Sequence, residues 1–369
     1  MKPKILFIMH MPPPVHGAAM IGKYIHDSKI INETFDCYYI NLALAKDLQD
    51  IGKGGLGKLR TFLLLLRAIR TKVKEIHPNI CYVTPNSKGG AFYKDFIVVE
   101  MLKKMGCKVI IHFHNKGVST RQNYFIDNLL YHRFFKGLKV ILLADILYQD
   151  IKKYVNINDV FICPNGIPTA NLQKINKNNK RFEILFLSNM MREKGVWDLV
   201  EACKILKEKG NEFHCNFVGK WSDIDENTFK SIIKKHSLEK YITAYGPKYG
   251  EEKDPFFSKA NLFVFPTFYH NECFPVVLLE AMEYQIPCIS TNEGGIQQII
   301  EDGETGYIIK KHSPILLAKK ISTLINDSQL CQEMGYKGYK KFYSEFTLQK
   351  CEDRIKEILL AYFKNNYTK

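Results

Sequence analysis

The sequence predicts an α/β protein made of two doubly wound, parallel-sheet, Rossmann-like domains with an inter-domain cleft and helices at the C-terminus. Three observations lead there. Short apolar, β-branched runs alternate with helical patterns nearly throughout, which is how parallel sheets with helices on both faces read. The alternation is interrupted once, by the polar stretch "TANLQKINKNNKR" (169–181), and then starts again. The 369 residues are more than one hydrophobic core usually holds. The expected division is a first domain over 1–168, a second over 169–345 and a C-terminal helix over 346–369.

In the first half the expected strands are "ILFIMH" (5–10), "DCYYINL" (36–42), "NICYVT" (79–84), "CKVIIHF" (107–113), "KVILLA" (139–144) and "DVFICP" (159–164). In the second half they are "FEILFLS" (182–188), "FHCNFVG" (213–219), "YITAYG" (241–246), "NLFVFPT" (261–267), "PCIST" (287–291) and "GYII" (306–309). From about Ser313 to Phe363 the pattern is helical, with no strand left to serve. Ligands of such sheets collect at the carboxyl ends of the strands, so the cleft between two such sheets is the expected site.

Composition narrows the class. At 46% apolar and 25% charged residues the chain is globular, not disordered. No apolar run reaches the roughly 18 residues of a membrane-spanning helix. The opening "MKPKILFIMHMPPP" has too short an apolar stretch for a secretion signal and reads as a first buried strand. Ten cysteines without a C-x-x-C pair suggest neither zinc nor a disulfide scaffold, and fit a reducing cytosol. The net charge of +15 is uneven: residues 1–165 hold 24 Lys/Arg against 12 Asp/Glu, so 24 − 12 = +12 lies there. That balance favours an anionic partner, whether nucleic acid, acidic lipid or a phosphorylated substrate.

The most informative stretch is "HNECFPVVLLEAM" (270–282), with Glu272 and Glu280 eight positions apart and Pro275 between them. Proline is tolerated at the first helical position, so Pro275 is expected to open a buried helix. Glu272 then lies in the preceding loop and Glu280 about 7.5 Å along the axis. The free amides of Val276 and Val277 lie between the two carboxylates, at the positive end of the helix dipole. This is an anion site with an acceptor group on either side, the order of parts in a nucleotide-sugar: hydroxyls, diphosphate, hydroxyls.

After the strand "FEILFLS" comes "NMMREKGVWDLVEACKIL", where Arg192 and Lys194 precede Gly195 and a helix. Two cations at a strand-to-helix loop can neutralise a diphosphate, although a basic pair alone is usually a solvated loop. In "VIIHFHNKG" strand alternation puts His112 and His114 on one face and Phe113 on the other. His114, nearer the carboxyl end, is the candidate; the plain alternative is a structural histidine. Two motifs are decoys. "GKGGLG" (52–57) fits G-x-G-x-x-G without following a first strand. "DID" (223–225) resembles a metal-binding Asp-x-Asp, but Asp225 is better placed as a helix cap. No other acidic pair has metal spacing, so no metal and no cofactor is expected.

"KLRTFLLLLRAIRTKVKEI" (58–76) is a basic amphipathic helix. Leu59, Phe62, Leu66, Ile69 and Val73 share one arc; Arg60, Arg67 and Lys74 share another that includes Leu64. It reads either as an ordinary domain helix with a solvated face or as a helix that docks on anionic lipid.

Taken in order and spacing, Phe186 to Gly195, "PTFYHNECFPVVLLEAM" and "CISTNEGGIQQIIEDGETGYII" resemble the second domain of family 4 glycosyltransferases, retaining enzymes of the GT-B fold. "VFICPNGI" is similar to the end of that family's first domain, and "PPPVHGAA" to its glycine loop. The resemblance implies that Glu272 holds donor-sugar hydroxyls, Glu280 those of the ribose, and Arg192 and Lys194 the diphosphate. Gly17 would let the backbone approach that diphosphate, and a histidine such as His114 would stand near the reacting sugar. The chain departs from the family in having Asn189 where an arginine is common, and Cys273 and Pro275 where glycines are common. Phe274, Val276 and Val277 are then left to supply the anion-binding amides.

The resulting expectation is a cytoplasmic, metal-independent hexosyltransferase of polysaccharide biosynthesis, peripheral on the inner face of the cell membrane. Its partners are a nucleotide-sugar donor, a glycan acceptor expected to be lipid-linked, and the anionic membrane surface. A nucleotide-sugar epimerase on the same fold is the nearest alternative. A nucleic-acid-binding module is the non-enzymatic one, but the charge lies on helices and loops without interleaved aromatics, so no nucleic acid is expected.

Overall fold

The computed structural model describes residues 2–13, 17–42, 56–170 and 181–367. Residues 14–16 of the glycine loop, most of "GKGGLG" and most of the polar stretch after Thr169 lie outside the described residues. The chain forms two compact units, Met1–Gly166 together with Leu348–Lys369, and Ile167–Thr347.

The first unit holds β1 (Lys4–Met9), β2 (Asp36–Asn41), β3 (Ile80–Val83), β4 (Val109–His112), β5 (Lys139–Leu142) and β6 (Val160–Ile162). They make one sheet in the order β2-β1-β3-β4-β5-β6, parallel throughout. Such strands are covered on both faces, which is why they read as continuous apolar runs and not as alternating ones. One face, carrying Ile5, Phe7, Met9, Ile80, Tyr82, Ile110 and Ile141, is covered by Ile21 and Ile25 of the helix Gly17–Asp27 and by Cys351, Ile355 and Leu359 of the helix Leu348–Tyr367. By alternation Leu6, Ile8, Val83, Val109 and Ile111, all buried, face the opposite layer. That layer is made of the helices Leu56–Ile76, Gly89–Lys104 and Phe125–Phe135, adjacent in that order. The final helix, set apart in the sequence reading, therefore completes the first unit's core.

The second unit contains β7 (Phe182–Leu187), β8 (Phe213–Val218), β9 (Ile242–Ala244), β10 (Leu262–Phe265), β11 (Cys288–Thr291) and β12 (Gly306–Ile309). Its order is β12-β11-β10-β7-β8-β9, again parallel. The order reverses between β7 and β10, and both central strands end in the loops that carry the candidate residues. All twelve expected strands are present.

The basic helix corrects one expectation. Leu65, Ile69, Val73 and Ile76 form its buried face, with Phe62 and Leu66 half-buried. Leu59, placed on the buried arc by periodicity, is 56% exposed, as Leu63 and Leu64 also are to a similar degree. Four consecutive leucines, 63–66, span more than one face of a helix, so Leu63 and Leu64 point outward, while Leu59 lies in the exposed start of the helix, ahead of Phe62 where burial begins.

Candidate functional site

The loop after β7 is shaped by Gly195. Its φ is +82°, and a Cβ there would sit 2.2 Å from the Pro266 carbonyl oxygen. Only glycine lets the turn Arg192–Lys194 press against the end of β10. The Glu193 carbonyl then accepts from the Phe268 amide at 2.8 Å and from the Thr267 hydroxyl at 3.3 Å. Asp223 accepts from the Arg192 amide at 3.1 Å, and Asp225 caps the helix Glu226–Lys235 by accepting from the Thr228 amide at 2.9 Å. The acidic pair "DID" thus braces a loop and caps a helix, as expected for Asp225.

This docking brings the Lys194 ammonium to 2.5 Å from the Glu272 carboxylate, with both side chains about 12–13% exposed. The same ammonium lies 4.3 Å from the centre of the Tyr269 ring, a contact that favours the cation. Arg192 is exposed.

The helix Val276–Glu283 starts one residue later than expected. Pro275 is its N-cap, with φ −70° and ψ 112°, and the Pro275 carbonyl accepts from the Leu278 amide at 3.2 Å. Among the described residues no carbonyl accepts from the amides of Val276 and Val277, both half-buried. Two amide donors without a carbonyl partner are thus present at the helix start. Phe274 precedes the proline, outside the helix, and its buried ring packs edge-on against Phe346 at 5.7 Å. Glu280 is paired with Lys253. Each candidate glutamate therefore has its own lysine.

Sequence reasoning missed Lys253, which lies 27 positions from Glu280 with no motif to connect them. It also assigned no role to Gly294. There φ is +55° and a Cβ would fall 2.4 Å from the Glu272 carbonyl oxygen, while the Gly295 amide donates to the Cys273 carbonyl at 2.6 Å. Together these contacts fix the backbone around Glu272. The signal that could have found the Gly294 contacts was the paired glycine separated from β11 by two residues.

In the first unit His112 and His114 share a side as alternation implies, their rings 4.2 Å apart. Phe113 points away, toward Phe135. The His112 Nδ1 is 2.5 Å from the Tyr82 hydroxyl, and burial together with the neighbouring His114 pushes its pKa well below the ordinary histidine value. His112 is therefore a neutral core residue against which the half-buried His114 packs, its ring tilted by 40°. Gly17 is the first residue of its helix, with open space where a Cβ would be. Among the described residues no three His, Cys, Asp or Glu side chains converge as a metal site would require.

Comparison with known proteins bears on the second unit most directly. The family model for glycosyl transferases group 1 matches residues 167–341. The capsular polysaccharide biosynthesis glycosyltransferase CapM of Staphylococcus aureus is 29% identical over 195 residues, 51% of this chain and 48% of that protein. A D-inositol 3-phosphate glycosyltransferase of Paenarthrobacter aurescens is 30% identical over 156 residues, 42% of this chain and 38% of that protein. The chain thus spans about half the length, or less, of the curated relatives it matches. Among solved structures, a glycosyltransferase from Rickettsia africae superposes with a TM-score of 0.75 at 17% identity, covering 99% of both chains. HepE from Anabaena, solved in complex with UDP, gives a TM-score of 0.75 at 15% identity, covering 97% of this chain and 100% of that one. These likenesses show the two-sheet GT-B fold. Similarity to the glycosyl transferases group 1 is thus carried by the second unit, residues 167–341.

Proposed function

We propose that the protein is a retaining, metal-independent glycosyltransferase of the family 4 type. It moves a sugar from a nucleotide-sugar to a hydroxyl of a surface glycan carried on a lipid, at the cytoplasmic face of the membrane. The observation that carries this reading is the helix start of Val276–Glu283, whose first amides lie between Glu272, paired with Lys194, and Glu280. CapM, a capsular polysaccharide glycosyltransferase, and HepE, solved with UDP, support the same substrate class. Ten free cysteines support a reducing compartment.

In this reading Glu280 accepts from the ribose hydroxyls and Glu272 from those of the donor sugar. Arg192, Lys194 and the amides of Val276 and Val277 meet the negative charge that grows on the departing diphosphate, with dipoles already in place. Those cations and amides take the part a divalent ion plays elsewhere. The bond from the anomeric carbon to the phosphate oxygen breaks while a bond to the acceptor oxygen forms on the same face. The acceptor's proton passes to the departing phosphate oxygen, so no protein nucleophile is needed. His114 is assigned to a sugar hydroxyl or to balancing that phosphate, and Gly17 to close backbone approach.

The test is transfer from a panel of nucleotide-sugars to a lipid-linked acceptor, with the product's anomeric configuration read by NMR. The expected product keeps the donor's configuration, and chelator leaves the rate intact. An inverted product, or activity lost to chelator and restored by manganese, would overturn the assignment.

A further inference from the structure

The outer faces of three helices in the first unit share a pattern that the proposed reaction does not use. Leu56–Ile76, Gly89–Lys104 and Phe125–Phe135 each run from the carboxyl end of one parallel strand toward the start of the next, so they point the same way. Their outward stripes begin apolar and end cationic. On the first, Leu63 is followed at helical spacing by Arg67, Arg70 and Lys74; on the second, Tyr93 and Ile97 by Lys104; on the third, Phe125 and Leu129 by Arg133. These apolar residues are exposed, Phe125 at 83%. They lie toward the carboxyl ends of the strands, where His114 follows the interior strand β4.

Where the helices adjoin, a groove of about 600 Å³ is lined by Arg70, Lys74, Ile97, Met101, Lys104 and Arg133 among others. Among the described residues no carboxylate lies within ion-pair distance of Arg70, Lys74 or Lys104; Glu100 in the groove pairs with Arg133 at 2.6 Å and with Lys103 at 3.1 Å. Cations at helix C-termini are favoured by the dipole alone. That explains neither Arg67 and Arg70, which precede the last turn, nor the exposed apolar starts.

We infer that this three-helix face is the surface that docks on an anionic bilayer, with the groove seating lipid phosphates and the apolar starts entering the acyl boundary. The inference rests on the membrane-facing reading above and goes beyond its single helix to a place and an orientation: the carboxyl ends of the first unit's strands, where His114 follows β4, dip toward the lipid. Charge complementarity selects this occupant. An isologous contact with a second copy would set unpaired cations against themselves, and a nucleic-acid backbone would leave the apolar starts unused.

The test uses the full chain with vesicles of phosphatidylglycerol and of phosphatidylcholine. The wild type is expected to sediment with the first only. Each basic residue at an anionic leaflet contributes about a fivefold gain in partitioning, so Arg70→Gln/Lys74→Gln/Lys104→Gln together should lose about a hundredfold. Ile97→Ser/Leu129→Ser should still associate at low salt but be released by salt that leaves the wild type bound, since screened charges alone would then hold it. Both variants should keep the wild-type melting temperature and turn over donor with a soluble acceptor at the wild-type rate. Wild-type sedimentation by both variants would overturn the docking face and leave the membrane reading standing. Absence of wild-type binding to any vesicle would overturn both. A salt response of the serine variant equal to the wild type's would show plain polyanion binding and refute insertion.

Discussion

Glu272→Gln offers the sharpest test of the assignment because it should push binding and turnover in opposite directions. Lys194 is held by Glu272 at 2.5 Å. A diphosphate must therefore take the lysine from a carboxylate, and must also approach that carboxylate's negative charge. Exposed ion pairs contribute about 0–1 kcal/mol, and breaking a fully buried one costs about 3–5 kcal/mol. With side chains 13% and 12% exposed, this pair falls between, at about 1.5 kcal/mol. Glutamine keeps the shape and removes the charge, so a free nucleoside diphosphate should bind about tenfold more tightly. Turnover should fall by tenfold or more, because the proposal assigns this carboxylate to the donor-sugar hydroxyls and the variant lacks its charge. Calorimetric titration of the nucleoside diphosphate and initial rates with the nucleotide-sugar read the two effects separately. In the double variant Lys194→Met/Glu272→Gln the tightening should vanish, which a double-mutant cycle would show as coupling. If Glu272→Gln weakened diphosphate binding together with turnover, Glu272 would be a buttress for Lys194 and the proposed role in sugar recognition would fall.

Two further outcomes concern the scaffold. Burial raises the carboxyl pKa of Glu283 from 4.5 to about 7 while it accepts from the Ala170 amide. The folded state then binds the proton more tightly than the unfolded state, so stability is greatest below about pH 4.5 and declines as pH rises through about 7. Glu283→Gln, which can still accept from that amide, should remove this decline and gain at most about 3 kcal/mol at pH 8; equal denaturant midpoint shifts at pH 5 and pH 8 would refute it. Gly195→Ala combines a φ of +82° with a Cβ 2.2 Å from a carbonyl oxygen, so it should cost about 2 kcal/mol or more. It should also lower turnover by displacing Lys194, and a stable, fully active variant would show that the turn tolerates rearrangement.

The strands were legible because a parallel strand buried on both faces leaves an unbroken apolar run, and each run was bounded by turn residues. The cap at Asp225 was legible because capping is local. Other features were hidden for stated physical reasons. The run Leu63–Leu66 has no phase, so periodicity could not show that Leu63 points outward and Leu65 is buried. Pro275 has φ −70°, which serves an N-cap and a first helical residue equally; only ψ separates them, and proline does not fix ψ. Lys253 reaches Glu280 through the fold, and no spacing records such a meeting. Helical periodicity in Leu348–Tyr367 shows that one face must be covered, not which sheet covers it.

That last helix has a consequence for synthesis. The second unit, Ile167–Thr347, is continuous in sequence, whereas the first needs residues from both ends of the chain. A ribosome adds about 5–20 residues per second. After Gly166 is made, the face bearing Ile5, Phe7 and Met9 therefore waits roughly ten to forty seconds for Ile355 and Leu359 to cover it. During that interval the second unit can close on itself. The half of the protein translated first is thus the half that finishes folding last, and the part of its sheet face that Ile21 and Ile25 leave open is the surface a chaperone would meet on the nascent chain.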